Sequence, residues 1–169
     1  MTDYQRILIA GVSGSGKSTL ARRIAATGYP YTELDSLHHG EGWTRRPEFE
    51  ADVQAVADGE RWVSEWQYRD VRPLLAARAD LLVWLDLPTR VTMARVIRRT
   101  IRRARTKEVL WNGNREPGLW HALTSNDGII RWAWSTRNNY RRTVPEVGVE
   151  TVRLRSARDV KRWLAEFPG

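Results

Sequence analysis

Residues 11 to 18 read Gly-Val-Ser-Gly-Ser-Gly-Lys-Ser and fit the phosphate-binding pattern G-x-x-x-x-G-K-[ST] at every fixed position. Glycines at these places let the backbone turn its N–H groups inward, forming a nest for phosphate oxygens. Lys17 is placed to bridge the outer phosphates, and the Ser18 hydroxyl to hold Mg²⁺. The chemistry this pattern serves is binding of a nucleoside triphosphate, ATP with Mg²⁺, through Gly11, Ser13, Gly14, Ser15, Gly16, Lys17, Ser18 and Thr19. What it leaves open is where the phosphoryl group goes.

Phosphoryl transfer also needs charge neutralisation and a group beside the attacking oxygen. Three carboxylates follow expected strands: Asp35, Glu65 and Asp86. Asp35 lies 18 residues after Lys17 and is a candidate to orient or deprotonate an acceptor hydroxyl, against the alternative of a capping or turn aspartate. Glu65 is a candidate for the Mg²⁺ hydration shell alongside Ser18, against that of a surface carboxylate at a strand end. Asp86, before Leu-Pro, reads as a structural turn. His38, His39 and His121 lack metal-ligand spacing and read as polar loop residues.

These groups need a scaffold. Arg6–Ala10 is a short apolar run, expected as a buried parallel strand, and Ser18–Ala26 reads as a helix closed by Gly28. Strand, glycine loop and helix together put phosphates on a helix N-terminus. Further strands are expected at Tyr29–Leu34, Arg61–Ser64, Ala79–Leu87 and Glu150–Leu154. Helices are expected at 47–58, 71–78, 89–105, 128–142 and 157–167. Strands alternating with helices predict an α/β fold, a central parallel sheet of five strands covered on both faces in three layers, α/β/α. The turn signals Asn-Gly, Pro-Gly and Asp-Gly make 106–128 mostly loop, expected as a short arginine-rich lid that closes and excludes water. Residues 36–60 are the expected acceptor-binding region, and 1–169 a single domain.

Composition narrows the partners. There is no cysteine, so no disulfide framework or thiolate metal site is expected. No apolar stretch approaches membrane-spanning length, and the first strand begins too early for a signal peptide, so a cytoplasmic protein with no membrane partner is expected. The net charge is +8, and 25 of the 28 basic residues are arginine. Residues 90–142 hold twelve arginines and Lys107 against Glu108, Glu116 and Asp127, a net of +10, so the excess belongs to one segment suited to polyanions. Of nine tryptophans, Trp62, Trp84, Trp132, Trp134 and Trp163 are expected to pack. Trp43, Trp66, Trp111 and Trp120 are expected in loops beside the acceptor region or lid, where stacking on a nucleobase or guanidinium is open and packing is the favoured reading for each.

Taken together, these residues resemble the P-loop kinases of the adenylate-kinase type. Within them the chain is most similar to the bacterial DNA topology modulation (FlaR-like) or adenylate-kinase-like ATPase family. The segments that carry the likeness are Leu34-Asp35-Ser36-Leu37-His38 with Trp43, Trp62 to Tyr68, Ala79 to Pro88, Arg95 to Arg103, and Gly113 to Glu116. The chain departs from that family at Glu65-Trp66, where the family has Asp-Gly. Arg95 and Arg99 match two arginines four apart in the helix before the lid of adenylate kinases, which implies a phosphate-clamping role for them. The resemblance implies acceptor contacts from Asp35, His38, Trp43, Glu65, Tyr68 and Arg69, with catalysis by Lys17, Asp35, Arg95 and Arg99. The expected activity is ATP- and Mg²⁺-dependent transfer to a small molecule, a nucleoside or nucleotide first. The segments Asp35 to His38 and Tyr68-Arg69-Asp70 are also similar to gluconate kinases, which keeps a sugar acid open as acceptor. The arginine cluster keeps a nucleic-acid-binding ATPase or a polynucleotide-end kinase open.

Overall fold

The computed structural model describes residues 4–114 and 128–167. Its strands are β1 (Arg6–Gly11), β2 (Trp62–Glu65), β3 (Leu81–Leu85) and β4 (Thr151–Leu154). Its helices are α1 (Lys17–Ala25), α2 (Leu34–His38), α3 (Phe49–Ala57), α4 (Arg72–Ala76), α5 (Thr89–Thr106), α6 (Ile129–Ser135), α7 (Asn139–Thr143) and α8 (Ala157–Glu166). Single 3₁₀ turns stand at Glu41–Trp43, Trp111–Gly113 and Val144–Glu146. The strands form one parallel sheet in the order β2-β1-β3-β4, with Ile9 opposite both Glu65 and Val83.

The central strands β1 and β3 are buried on both faces as near-continuous apolar runs, β2 is buried although it carries Ser64 and Glu65, and the edge strand β4 exposes Thr151 and Arg153. Side chains alternate across it. Leu8, Ala10, Trp62, Trp66, Leu82 and Trp84 join Phe49 and Val53 of α3, Leu75 of α4 and Tyr140 of α7 in one core. Ile7, Ile9, Val63, Leu81, Val83 and Leu85 join Leu20 and Ile24 of α1 in the other, with Trp163 and Leu164 of α8 packed against it. The three-layer α/β/α arrangement is therefore as the alternating pattern requires.

The expected fifth strand is a correction. Tyr29–Leu34 forms a single parallel bridge, Tyr31 to Val63, on the outer side of β2. Pro30 has no N–H to give, so the pairing reduces to its carbonyl accepting from Val63 N at 2.9 Å. The chain then turns into α2 at Leu34, which puts Asp35 in the first turn of a helix rather than at a strand end. A second correction concerns 128–142, where one expected helix is two, α6 and α7. Ala133 is the residue α6 buries. Its neighbours Trp132 and Trp134 leave the helix about 100° to either side, and both are half-exposed instead of packed, at 51% and 53%.

Candidate functional site

The phosphate loop is held from outside by α5. Gly14 has φ +77°, and a Cβ there would land on the Thr92 carbonyl and within 2.9 Å of Val96 Cγ2. Gly11 is tight for another reason: a Cβ would meet Ser15 Oγ at 2.5 Å. Ser15 Oγ is buried with no protein partner, a polar atom aimed within the loop. From α5, Arg95 donates to the Ser15 carbonyl at 3.2 Å and reaches the Gly14 carbonyl at 3.5 Å. One turn on, Arg99 donates to Ser13 Oγ at 3.0 Å. The two arginines thus meet the loop together, as their four-residue spacing allows.

At the other side of the loop stands Glu65, the last residue of β2, only 3% exposed. Ser18 Oγ donates to its Oε1 at 2.7 Å, and the Tyr31 hydroxyl donates to the same oxygen at 3.0 Å. Lys17 Nζ is 4.0 Å from Oε2 and 3.5 Å from the Val12 carbonyl. A hydroxyl beside a buried carboxylate is a hard oxygen donor set, and it fits Mg²⁺ held with several waters. Burial, and then the negative charges of Glu65 and Glu33, push the Tyr31 phenol up, so it stays a donor. Thr19 follows Ser18 in the first turn of α1.

Two and three residues beyond Glu65, Gln67 and Tyr68 build a second cluster around Asp35. Gln67 Nε2 and the Tyr68 hydroxyl donate to Asp35 Oδ1 at 2.7 and 2.5 Å. Tyr68 Oη is 3.2 Å from His39 Nε2, and the His38 ring stacks on the Tyr68 ring at 4.1 Å with 11° between planes. Burial, then His39 and Arg45, lower the His38 imidazole against the opposing charges of Asp35 and Asp70. Glu33 lies between the two clusters. Burial raises its carboxyl, helped by the charges of Glu65 and Asp35 and opposed by the Trp111 indole and Arg22.

Trp43 flanks the second cluster, its ring edge-on to His39 at 5.1 Å and to Trp111 at 6.5 Å. Asn114 fastens this edge: its amide donates to the Gly40 carbonyl at 2.8 Å and accepts from Trp43 N at 3.0 Å. Asn112 donates to the His39 carbonyl beside it. The first part of the expected lid, 106–114, therefore sits on the 36–44 loop. Residues 115–127, with Trp120 and His121, lie outside the described residues.

Arg69 is exposed, and among the described residues no contact ties it to Asp35. Trp66 stands just past β2 and packs into the core, 5% exposed, with its indole N–H donating to the Arg72 carbonyl at 3.1 Å. Asp86 is structural: although partial burial raises its carboxyl, hydrogen bonds from Arg153 and Arg141 hold it below the usual carboxylate range. Tyr31, Gln67, His39, Asn112 and Asn114 are site residues that sequence reasoning passes over. Gln67 had a signal, an amide two residues past a strand-end acid. Tyr31 had none, because it reaches Glu65 through a one-residue bridge.

No protein-family model matches the chain, and a search of curated proteins returns no match. Among solved structures, the chain is similar to a gluconokinase from Sinorhizobium meliloti 1021, at 23% identity and TM-score 0.53 over 96% of this chain and 92% of that one. It is also similar to a shikimate kinase from Acinetobacter baumannii in complex with shikimate, at 14% identity and TM-score 0.58 over 96% and 89%. A deoxyadenosine kinase from M. mycoides with bound dATP aligns at 13% identity and TM-score 0.53 over 95% and 96%. These likenesses establish the fold, a parallel α/β sheet with a phosphate loop after β1. The likeness to the DNA topology modulation family stays one of motifs. Among the described residues, no helix is long and apolar enough to cross a membrane.

Proposed function

We propose that the protein is an ATP- and Mg²⁺-dependent phosphotransferase acting on a small hydroxyl-bearing molecule. The observation that carries this reading is the end of β2. Glu65 reaches Lys17 and Ser18 on the phosphate loop, and Gln67 and Tyr68, two and three residues later, reach Asp35. Donor and acceptor machinery are thus built on one short segment at the C-terminal edge of a parallel sheet, where such folds place their ligands.

In this reading the loop amides and Lys17 hold the triphosphate, and Ser18 with Glu65 holds Mg²⁺, which when bound neutralises charge on the outer phosphates. Asp35 accepts the proton of the acceptor hydroxyl as its oxygen attacks the γ-phosphorus. The bond to the bridging oxygen breaks and ADP leaves. Arg95 and Arg99 hold the loop and lend positive charge to the transferring group. The favoured acceptor is a nucleoside or nucleotide, because Trp43, 38% exposed, and Trp111 offer ring faces beside His39. Exposed Arg69 next to Tyr68 suits a sugar acid as the alternative. The structural neighbours, with three different acceptors in their names, are consistent with a kinase and choose none of these.

Purified protein with ATP, Mg²⁺ and a panel of nucleosides, nucleotides and sugar acids tests the reading through acceptor-stimulated ADP release. Lys17→Ala is expected to abolish turnover with the fold intact, and turnover persisting in that variant would remove the loop as the site. A second reading, nucleic-acid binding, is favoured by one observation. Arg98, Arg102 and Arg105 line an outer depression of α5 with Ile101 and Thr106. It predicts oligonucleotide affinity falling with salt at a log–log slope of about −2 for three phosphates on a single strand. A flat salt response would end it.

A further inference from the structure

The two protein donors on Asp35 converge on one oxygen. Gln67 and Tyr68 both donate to Oδ1, while Oδ2 accepts nothing among the described residues. Behind Tyr68 stand two consecutive histidines, with His39 Nε2 at 3.2 Å from the phenol oxygen and His39 Nδ1 at 3.3 Å from His38 Nδ1. We propose that His38, His39 and Tyr68 form a directional hydrogen-bond chain that fixes the Asp35 carboxylate so that Oδ2 faces the acceptor hydroxyl, with Tyr68 and His39 as positioning residues.

The direction follows by elimination. An ionised carboxylate only accepts, so the single Tyr68 hydroxyl proton is committed to Asp35. Burial, then the Asp35 charge, raise the phenol far above the ordinary tyrosine range and keep that proton in place. The Tyr68 oxygen must then accept from His39, which therefore carries its proton on Nε2. With His39 neutral, a lone pair is left on Nδ1, and the facing His38 Nδ1 is then the donor. Each histidine is thereby assigned one tautomer, His38 as Nδ1–H and His39 as Nε2–H. The groups around the pair are Asp35, Tyr68, Arg45 and Asp70.

The backbone also holds Tyr68 in place. Tyr68 has φ +59°, a left-handed conformation that a bulky residue holds only when its surroundings determine it. Those surroundings are the His38 stack, the Phe49 edge at 5.2 Å and the two polar contacts of its hydroxyl.

The catalytic consequence rests on the phosphotransferase reading, whereas the tautomers do not, and the experiment keeps them apart. Long-range ¹H–¹⁵N spectra of the full chain with labelled histidine, assigned with His38→Gln and His121→Gln, are expected to show His39 as Nε2–H and His38 as Nδ1–H at neutral pH. An Nδ1–H tautomer for His39, or fast averaging of both forms, would overturn the chain. In acceptor-dependent kinetics, Tyr68→Phe and His39→Leu are expected to lower kcat about ten- to hundredfold with KM for ATP unchanged. His39→Gln, whose amide can still donate to the Tyr68 oxygen, is expected to recover most of that loss. Equal kcat in His39→Leu and wild type, or no advantage of Gln over Leu, would overturn the positioning role. The expected tautomers in a protein without acceptor-stimulated turnover would remove the phosphotransferase reading and leave the chain standing.

Discussion

Replacing Gly14 by alanine tests whether α5 sets the shape of the phosphate loop. Gly14 and Gly28 both have positive φ, +77° and +100°. An alanine at either site bears the left-handed penalty of about 1–2 kcal/mol. They differ in space. At Gly14 the new Cβ meets the Thr92 carbonyl and Val96 of α5, whereas at Gly28 it meets no atom of the described residues within 4 Å. Thr92 and Val96 are buried, so they cannot swing aside, and overpacking there costs roughly another 1–3 kcal/mol. Gly14→Ala should thus lose about 2–5 kcal/mol and Gly28→Ala about 1–2 kcal/mol. For a chain of this size that is about 4–20 °C in Tm against about 2–8 °C. Urea and thermal unfolding measure the difference, and titration with a non-hydrolysable ATP analogue measures what the loop loses. Gly14→Ala should also weaken that binding about tenfold or more, because easing the clash shifts the loop off Arg95. Gly28→Ala should bind as wild type. Equal losses of stability in the two variants, with equal affinity, would refute the claim that α5 packing shapes the loop.

Glu65→Gln keeps acceptors for Ser18 and Tyr31 but removes the charge facing Lys17, so the gain in ATP-analogue affinity on adding Mg²⁺ should vanish while metal-free affinity holds or rises. An unchanged Mg²⁺ effect in titration calorimetry would take Glu65 out of the metal site. Trp66→Ala should cost about 3–5 kcal/mol in urea unfolding, as a large core truncation does, and Trp134→Ala should stay within about 0.5 kcal/mol as an exposed change. On the acid side, Asp80 and Asp86 are both held below 3.8, Asp80 by Arg6 and the Gln5 and Arg6 amides, Asp86 by Arg153 and Arg141, in each case against burial. Groups with depressed folded pKa values contribute stability that is present above the unfolded value and lost as pH falls through the folded one. Asp86→Asn should therefore flatten the stability profile below about pH 4, read by denaturant midpoints across pH, and leave the shape near neutrality unchanged.

The phosphate-loop half of the candidate site was legible because its geometry is local. Gly11 to Ser18 carry their own geometry, and Arg95 and Arg99 share a helix face through spacing alone. The half around Asp35 is a meeting of residues far apart in sequence: Asp35 with Gln67 and Tyr68, Gly40 with Asn114, Tyr31 with Glu65. No periodicity encodes such contacts. The missing strand at 29–34 has the same origin. Tyr29-Pro30-Tyr31 has strand-like side chains, yet a proline without a donor reduces the pairing to one bridge, and Asp35 then starts from a helix. The arginine cluster showed its net charge but not its division. Arg95 and Arg99 turn to the loop, Arg102 and Arg103 share Glu108 at 3.4 and 3.7 Å, and Arg141 goes to Asp86.

The departure from the family pattern at Glu65-Trp66 resolves through strand alternation. Trp62 and Trp66 lie on the face of the sheet that packs on α3 and Tyr140, and Val63 on the face that packs on α1. Glu65 shares the parity of Val63, so it points toward the phosphate loop while Trp66 points away from it. Trp66 N still donates to the Ile9 carbonyl at 2.9 Å, which holds this register one residue beyond β2. The bulky ring is thereby sent under the sheet, where the Tyr140 hydroxyl donates to its carbonyl at 2.9 Å and Arg72 lies over its face at 4.9 Å. Gln67 N donates back to the Glu65 carbonyl at 3.0 Å, so the strand ends in a tight turn, and the Gln67 amide reaches Asp35. Tyr68, at φ +59°, packs with Phe49 against the same core as Trp66, and its hydroxyl reaches the same carboxylate. A tight turn at the end of β2 thus lets a short segment meet the phosphate loop through Glu65 and a candidate acceptor base through Gln67 and Tyr68.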